Sequence, residues 1–362
     1  MTTTLKIIAP GMLCSLQDQG RAGYGQFGVP RSGATDPVAL RLGNALVGNA
    51  PFEAGIEFRM VGPTLQAQGG AVRVGLACQA RAEHSCAQTQ AVTPVSAWQS
   101  ITLQPGDTLK VSSVSRGATG YLTLAGGIAC EPVLGGISTY ARANLGGLHG
   151  QWLKANDVIP LRSDAPAHGC EKIIAAPPDA SVTQLSVILG PQADFFSTSA
   201  REKFLASTFI ASTQTDRMGI RLQGDPIHAL PDKGNDLISE GLVPGAIQIP
   251  GDGQPIVLGV DCQTVGGYPK IATVISADLH KLGQIQPGDT LRFKAVTLAE
   301  AQQQRQALER RIAEALSTLY DHYGAGAMNL KALYESNLID GVVNATSDPT
   351  PNETESCKKP ST

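Results

Sequence analysis

Short apolar runs separated by glycine, proline and small polar residues make up most of the chain. The run from Ile256 to Val260 is typical, because it lies between Pro255 and Asp261 and has the length of a buried strand. Runs of this length joined by specific turns favour β structure over long surface helices. The pattern therefore predicts a mainly β protein.

Two segments have the period of an amphipathic helix. Residues 36–47 begin with Asp36, an N-cap residue, followed by a proline that favours the first helical position. The free N–H groups at this helix start could also bind an anion or a carbonyl oxygen. Residues 298–322 follow Thr297, which forms a capping-box pattern with the glutamate three residues later, and Gly324 would end this helix. We expect few short helices and one C-terminal helix.

A weak internal repeat divides the chain into two β halves. Residues 5–11 resemble residues 185–191, and the hexapeptide Gln-Pro-Gly-Asp-Thr-Leu occurs at both 104–109 and 286–291. Its proline, glycine and aspartate predict a turn that enters a strand. With the proline-rich stretch between the halves, the repeat predicts these boundaries: first β-barrel half 1–165, linker 166–184, second β-barrel half 185–297, C-terminal helix 298–324 and a disordered tail 343–362.

Composition limits the partners and the location. Net charge is −3 without a basic run, which argues against nucleic acid as a partner. No apolar stretch approaches the roughly 18 residues of a membrane span, and the one near the N-terminus is too short for a signal peptide. The seven cysteines form no Cys-x-x-Cys pair, and the six histidines lack metal-ligand spacing. We expect a cytoplasmic protein with reduced thiols and without a metal site.

Residues 239–273 are the strongest candidate for a site. Glycine and proline there bring hydrogen-bonding side chains close to one turn, whose Gly266-Gly267 pair allows positive φ. Such a turn could direct several donors at one small ligand, but a tight hairpin that satisfies its own backbone fits the local sequence equally well. Cys262 has no histidine base near it in sequence, which favours a small buried residue.

Several long motifs resemble the family of the 5-oxoprolinase C subunit, also described as biotin-dependent carboxyltransferase or as the second component of allophanate hydrolase. The resemblance runs from about Leu5 to Ala301, and its motifs lie at residues 15–24, 28–37, 121–128, 190–192, 216–222 and 239–273. Relatives in this family include the antagonist of a sporulation-kinase inhibitor and one half of the urea carboxylase carboxyltransferase domain. The resemblance implies an all-β body of two cyclophilin-like barrel halves, which fits the internal repeat.

The resemblance also implies partners and chemistry. Family members act beside the B subunit of 5-oxoprolinase and, with its A subunit, in the ATP-dependent opening of 5-oxoproline to L-glutamate. In urea carboxylase the related module moves a carboxyl group from carboxybiotin to urea. This chain has neither a phosphate-loop motif nor a Met-Lys-Met biotin carrier, so we expect other chains to hold ATP and any biotin.

We therefore expect one component of a cytoplasmic ATP-dependent 5-oxoprolinase that is inactive alone and works with homologues of the A and B subunits. One alternative is a carboxyltransferase module of a biotin-dependent urea or amide carboxylase. Another is a non-enzymatic antagonist that binds a kinase-inhibitor homologue.

Both enzymatic hypotheses involve a planar amide or ureido group, whose carbonyl is polarised by fixed hydrogen-bond donors. The candidate donors are Gln248, Gln254, Gln263, Thr264, Tyr268 and Lys270. Arg21 and Arg217 could hold a carboxylate, or could only form a structural ion pair with a neighbouring aspartate. The candidate bases or arginine partners are Asp18, Asp36, Glu240 and Asp261. Lys270 could instead only extend from a strand end, and the sequence assigns no catalytic residue.

Overall fold

The structure is a computed structural model that describes residues 3–162, 170–234 and 236–323. Gly324 and the tail expected at 343–362 lie outside the described residues. Three α-helices occur in the described ranges: α1 Pro37–Val47, α2 Thr198–Ala206 and α3 Leu298–Ser317. Short 3₁₀ helices lie at Gly25–Phe27, Ala141–Ala143, Ala193–Phe195 and Leu279–Gln284.

Strands account for most of the regular structure, which confirms the mainly β prediction. The described strands are β1 Thr4–Ala9, β2 Ser15–Gln17, β3 Gly55–Arg59, β4 Thr64–Gln68, β5 Val72–Ser85, β6 Val92–Val95, β7 Gln99–Leu103, β8 Thr108–Leu124, β9 Val158–Pro160, β10 Glu171–Ile174, β11 Gln184–Leu189, β12 Phe209–Thr215, β13 Gly219–Gln223, β14 Glu240–Gly241, β15 Ala246–Gln248, β16 Ile256–Leu258, β17 Val265–Gly266, β18 Lys270–Val274, β19 Thr290–Ala295 and β20 Leu319–His322.

The first half is built on one eleven-stranded sheet. The main path runs β20-β10-β7-β5-β8-β4-β1-β9. Three strands branch from it: β3 pairs with β8, β2 pairs with β3, and β6 pairs with β5. Alternate apolar residues of β1 and β4 point to one core, where Leu5, Ile7 and Leu65 are fully buried. Burial of this face holds the register of the sheet.

The second half is a closed seven-stranded barrel. Its strand order is β11-β18-β15-β16-β13-β12-β19, and parallel pairing of β11 with β19 closes it. Inside, Phe204 of α2 stacks on Phe293 of β19 with ring centroids 4.6 Å apart, and Phe209 lies against both rings. The short strands β14 and β17 form a separate two-stranded sheet within the segment predicted as a site.

The repeated hexapeptide adopts the predicted turn in both halves. Gly106 and Gly288 have φ of 94° and 93°, a region that favours glycine. The Asp107 carboxylate accepts from the N–H of Gln104 at 2.9 Å, as Asp289 accepts from that of Gln286 at 2.7 Å. Each turn leads into a strand, β8 in the first half and β19 in the second.

Both predicted helices form, but the C-terminal helix is shorter than expected. Thr297 and Glu300 make the predicted capping box at the start of α3. The helix ends at Ser317 and not near residue 322, because Leu319–His322 forms β20 and pairs with β10. Strand pairing supplies hydrogen-bond partners to the edge of β10 that a continued helix would leave unpaired.

The segment expected to be a linker contains regular structure. Residues 171–174 form β10, which pairs with both β20 and β7 of the first half. The sequence of the proline-rich stretch did not predict this strand, because the strand is stabilised by pairing partners that lie far away in the chain. No helix in the described ranges is long and apolar enough to cross a membrane.

Candidate functional site

A buried arginine joins the two halves. Arg217, which precedes β13 of the barrel, is 7% exposed and donates from Nε to Asp261 Oδ2 at 2.8 Å. Its Nη2 donates to Asp261 Oδ1 at 3.1 Å, to the carbonyl oxygen of Gly33 at 2.7 Å and to Gln17 Oε1 at 3.2 Å. Its Nη1 donates to Glu57 Oε1. One guanidinium therefore binds two carboxylates, one from each half.

The network continues from Glu57 into the first half. Glu57 Oε2 accepts from the N–H of Thr35 at 2.9 Å and from the hydroxyl of Tyr121 at 2.5 Å. The Tyr121 oxygen in turn accepts from the N–H of Asp36 at 2.9 Å. Gln284 of the barrel donates to Asp36 Oδ2 at 2.7 Å, so this contact also joins the two halves.

The carboxylates and the burial of this network shift the pKa values of Arg217 and Tyr121. Burial alone would lower the pKa of Arg217, but Asp261 and Glu57 overcome it and raise the pKa well above its ordinary value. Burial raises the pKa of Tyr121 well above its ordinary value, and the nearby Glu57 adds to that shift. Tyr121 therefore stays protonated and donates to Glu57 throughout the physiological range.

The two predicted arginines, Arg217 and Arg21, do not pair with the aspartates next to them in sequence. Arg217 pairs with Asp261, which is 44 residues away, while the adjacent Asp216 caps the N–H of Met218 at 2.7 Å. Arg21 is 2% exposed and donates to the carbonyl oxygens of Val133 and Ser138 at 2.9 and 2.5 Å. Its Nη1 has no hydrogen-bond partner among the described residues. Neither guanidinium is an open carboxylate clamp.

Two of the predicted aspartates accept hydrogen bonds from backbone N–H groups. Asp18 accepts from the N–H groups of Gly20 and Ile137 at 2.8 and 2.7 Å and from the Ser138 hydroxyl. Asp36 caps α1, where its Oδ1 accepts from the N–H groups of Val38 and Ala39, each at 2.9 Å. The start of α1 therefore does not offer the free N–H groups that the sequence suggested, and it does not fit a nucleotide phosphate.

An opening between the halves lies against this network, and we call it the central cleft. It has a volume of about 330 Å³ and is lined by residues of both halves. Arg217, Asp18 and Thr35 form part of its wall, and Leu279, His280 and Leu282 come from the 3₁₀ helix of the barrel. Its size is in the range of small-molecule sites.

A second opening, the outer groove, brings together three of the predicted amide donors. Gln248, Gln263 and Tyr268 line this groove of about 460 Å³ together with Arg142 and Arg221. Gln248 is 3% exposed, and its Nε2 has no hydrogen-bond partner in the described part of the chain. The predicted segment therefore does form a polar surface with an available donor.

Lys270 is not an open donor. It is buried at the start of β18, and its Nζ lies 2.9 Å from Glu240 Oε2. Glu240 also accepts from Gln192 Nε2 at 2.8 Å, and the hydrogen bonds from Lys270 and Gln192 lower the pKa of its carboxyl. The two predicted residues thus form a pair with each other beside the outer groove.

Gln254 forms hydrogen bonds to the backbone, and the backbone of Thr264 takes part in the small sheet. Both ends of the Gln254 amide bond to Gly224, with Oε1 accepting at 2.9 Å and Nε2 donating at 3.1 Å. The carbonyl oxygen of Thr264 accepts from the N–H of Leu242 at 2.8 Å, which joins the two strands of the small sheet. Cys262 is buried, and burial raises its pKa to about 11, so its thiol is neutral and fits the expected small buried residue.

Several residues at the centre were not found from the sequence. Glu57 and Tyr121 complete the Arg217 network, while Arg31, Ser32 and His280 line the central cleft. The sequence signals for them were the motif at residues 28–37, which contains Arg31 and Ser32, and the motif at residues 121–128, which begins with Tyr121. Within the described ranges, no group of three or more His, Cys, Asp or Glu residues is arranged to hold a metal ion.

The fold and site define a mainly β module of two joined halves with a ligand-sized cleft between them. The protein-family model described as "Carboxyltransferase domain, subdomain A and B" matches residues 27–295. The chain belongs to this family, which confirms the resemblance found in its motifs.

Curated relatives and solved structures agree with this assignment. The chain is 36% identical over 312 residues to the C subunit of 5-oxoprolinase from Escherichia coli strain K12, covering 84% of this chain and 96% of that protein. It is 34% identical over 295 residues to the corresponding C subunit from Haemophilus influenzae, covering 82% and 92%. The crystal structure of Kluyveromyces lactis urea carboxylase matches with a TM-score of 0.76 and 27% identity, over 90% of this chain but 30% of that one.

Proposed function

We propose that this chain is one component of an ATP-dependent 5-oxoprolinase, which opens 5-oxoproline to L-glutamate together with homologues of the A and B subunits. The observation that carries this proposal is the similarity to two proteins named as the C subunit of 5-oxoprolinase, over almost their whole length. The reaction hydrolyses the lactam C–N bond: water supplies the new carboxyl oxygen, and the ring nitrogen becomes the amine.

The site supports a contribution to amide recognition but not a complete active site. Unpaired polar groups border both openings, the Gln248 amide at the outer groove and the Ser32 hydroxyl at the central cleft, whereas the Arg217 and Lys270 charges are already paired. A fixed donor that meets the carbonyl oxygen as it gains negative charge accelerates amide opening. The sequence contains no phosphate-loop motif, which supports ATP being held by a partner chain.

Apolar side chains beside the outer groove support a protein partner there. Ile238 is 92% exposed, and Val243, Val265 and Tyr268 are 56%, 55% and 40% exposed. All four lie in or next to the small sheet of β14 and β17. Neighbouring exposed apolar side chains are typical of interaction surfaces, and we propose that the homologue of the B subunit covers this one.

Reconstitution tests this proposal. The chain, co-expressed with candidate A and B subunits, should release glutamate from 5-oxoproline in a reaction that requires ATP, and omission of any one chain should abolish it. Full mixtures that bind together but never turn over 5-oxoproline would refute the assignment. A biological effect of this chain through the B subunit alone would then favour the non-enzymatic antagonist.

The structural likeness to urea carboxylase supports a second candidate, a carboxyltransferase module. Biotin dependence separates the two. Avidin binds the biotin carrier and should stop carboxyl transfer, but it should leave 5-oxoproline opening unchanged. Loss of activity on addition of avidin would establish the carboxyltransferase instead.

A further inference from the structure

The central cleft has an apolar floor to which both halves contribute. Ala34 and Val38 come from the first half, and Ile220, Leu279 and Leu282 come from the barrel. The backbones of the two halves meet tightly beside it, since a Cβ on Gly283 would lie 2.8 Å from the carbonyl oxygen of Thr35. The cleft is therefore part of a packed junction between the halves.

Ser32 places an available hydroxyl in this cleft. The residue is 4% exposed, and its Oγ has no hydrogen-bond partner among the residues that the structure describes. Its φ of 54° is in the left-handed region, and its N–H donates to the carbonyl oxygen of Val260 at 3.0 Å. A buried hydroxyl without a partner is costly to the protein, which is the signature of a group that meets a ligand.

His280 contributes a second available group, from the barrel. Its Nδ1 is buried and has no partner in the described ranges. Burial lowers the pKa of His280, although Asp36 and Asp278 oppose that shift. The imidazole is therefore neutral near pH 7, and it can either donate or accept one hydrogen bond at a polar ligand atom.

Arg31 is the cleft cation that can meet an anion. Of the five arginines that line the cleft, Arg217 is already paired with Glu57 and Asp261. Arg41 and Arg305 both bind Glu309, at 2.9 and 3.2 Å, so this cluster keeps one excess positive charge. Arg31 is exposed, and its side chain has no ion-pair partner among the described residues.

We propose that the central cleft binds a small cyclic amide acid, with its ring on the apolar floor, its amide group at Ser32 and His280 and its carboxylate at Arg31. The inference rests on the proposed function for its ligand, because 5-oxoproline has this chemistry. It places the acid in the cleft and not in the outer groove that the sequence indicated.

Direct binding to the purified full chain tests this placement without any partner protein. Three probes separate the ligand features: 5-oxoproline, 2-pyrrolidinone, which lacks the carboxylate, and cyclopentanecarboxylate, which lacks the amide. Isothermal titration should show that 5-oxoproline binds at least about tenfold more tightly than either analogue, because each analogue leaves a polar partner in the cleft without its bond.

Matched variants assign each feature to a residue. Ser32→Ala should weaken 5-oxoproline binding about tenfold and leave cyclopentanecarboxylate binding unchanged. Arg31→Gln should weaken both acids and leave 2-pyrrolidinone unchanged. Ser32→Ala should not lower the midpoint of thermal unfolding in the absence of ligand, since it removes a hydroxyl that has no partner. Arg221→Gln, at an exposed arginine of β13, is the control and should not affect any of the three probes, and Gln248→Ala tests the outer groove as the competing location.

Three results would overturn the placement. Unchanged 5-oxoproline binding in Ser32→Ala would remove the hydroxyl from the site, and lost binding in Gln248→Ala would move the acid to the outer groove. Absence of millimolar binding by a chain that still supports turnover in the reconstituted complex would place the acid on another chain. Each of these leaves the proposed 5-oxoprolinase function standing, and that function fails only if the complete mixture does not open 5-oxoproline.

Discussion

Replacement of Arg217 by methionine should destabilise the protein more than any surface substitution. Methionine keeps much of the side-chain length but removes the cation that Glu57 and Asp261 share. Both carboxylates are nearly inaccessible, with side chains 5% and 8% exposed. They would be left buried and uncompensated, and the Gln17 oxygen and the Gly33 carbonyl would lose a donor.

The size of the effect follows from these contacts. Removal of one partner from a buried ion pair costs about 3–5 kcal/mol, because a charge remains in the interior. Here two carboxylates lose the same partner, so we expect a loss of at least about 4 kcal/mol. A native protein has a free energy of unfolding of about 5–15 kcal/mol, so this is a large part of the total.

Urea unfolding of the wild type and the variant measures this loss. Adding Glu57→Gln to the variant should recover part of the loss, since only Asp261 then remains charged and unpaired. Arg221→Met, at an exposed arginine of β13, is the matched control and should change stability by less than about 0.5 kcal/mol.

A deficit below about 1 kcal/mol would refute the reasoning. It would mean that water reaches the network and compensates the two carboxylates. The buried guanidinium would then contribute no more than an exposed ion pair does.

Three further predictions concern other parts of the chain. Burial lowers the pKa of His280 below its unfolded value, so the free energy of unfolding should fall as the pH drops through about 6.5. In urea unfolding at about pH 5–8, the stability of His280→Asn should fall less steeply than that of the wild type, and parallel curves would contradict this. A hydrogen bond from Thr89 lowers the pKa of Cys86, whereas burial raises that of Cys262 to about 11. Peptide mapping should therefore find that iodoacetamide modifies Cys86 before Cys262, and equal rates would contradict the assignment. Thr297→Ala removes the capping box of α3 and should cost about 1 kcal/mol in thermal unfolding, while no change would show that the cap is dispensable.

Local features of the fold were predictable because their causes lie within a few residues. The Asp36 cap, the capping box at Thr297 and the two Gln-Pro-Gly-Asp-Thr-Leu turns each depend on contacts that span two or three positions. The repeat of these turns also indicated the two halves. The end of α3 was wrong because β20 is stabilised by β10, almost 150 residues earlier in the chain.

The site was predictable as a segment but not as a set of contacts. Residues 239–273 do border a groove, yet only Gln248 among the predicted donors is both buried and without a hydrogen-bond partner in the described ranges. Arg217 binds Asp261, Glu57 and Gly33, at sequence separations of 44, 160 and 184 residues. The sequence suggested the neighbouring aspartate because proximity along the chain was the only distance it could provide.

The pairing of β20 with β10 has a consequence for synthesis of the protein. A ribosome adds about 5–20 residues per second, so the stretch from Ile174 to His322 takes roughly 7 to 30 seconds to emerge. During that time the outer edge of the first sheet has no strand beside it and is open to pairing with other nascent chains. The last strand of the described chain thus decides how long the β10 edge of the first sheet stays open to such pairing.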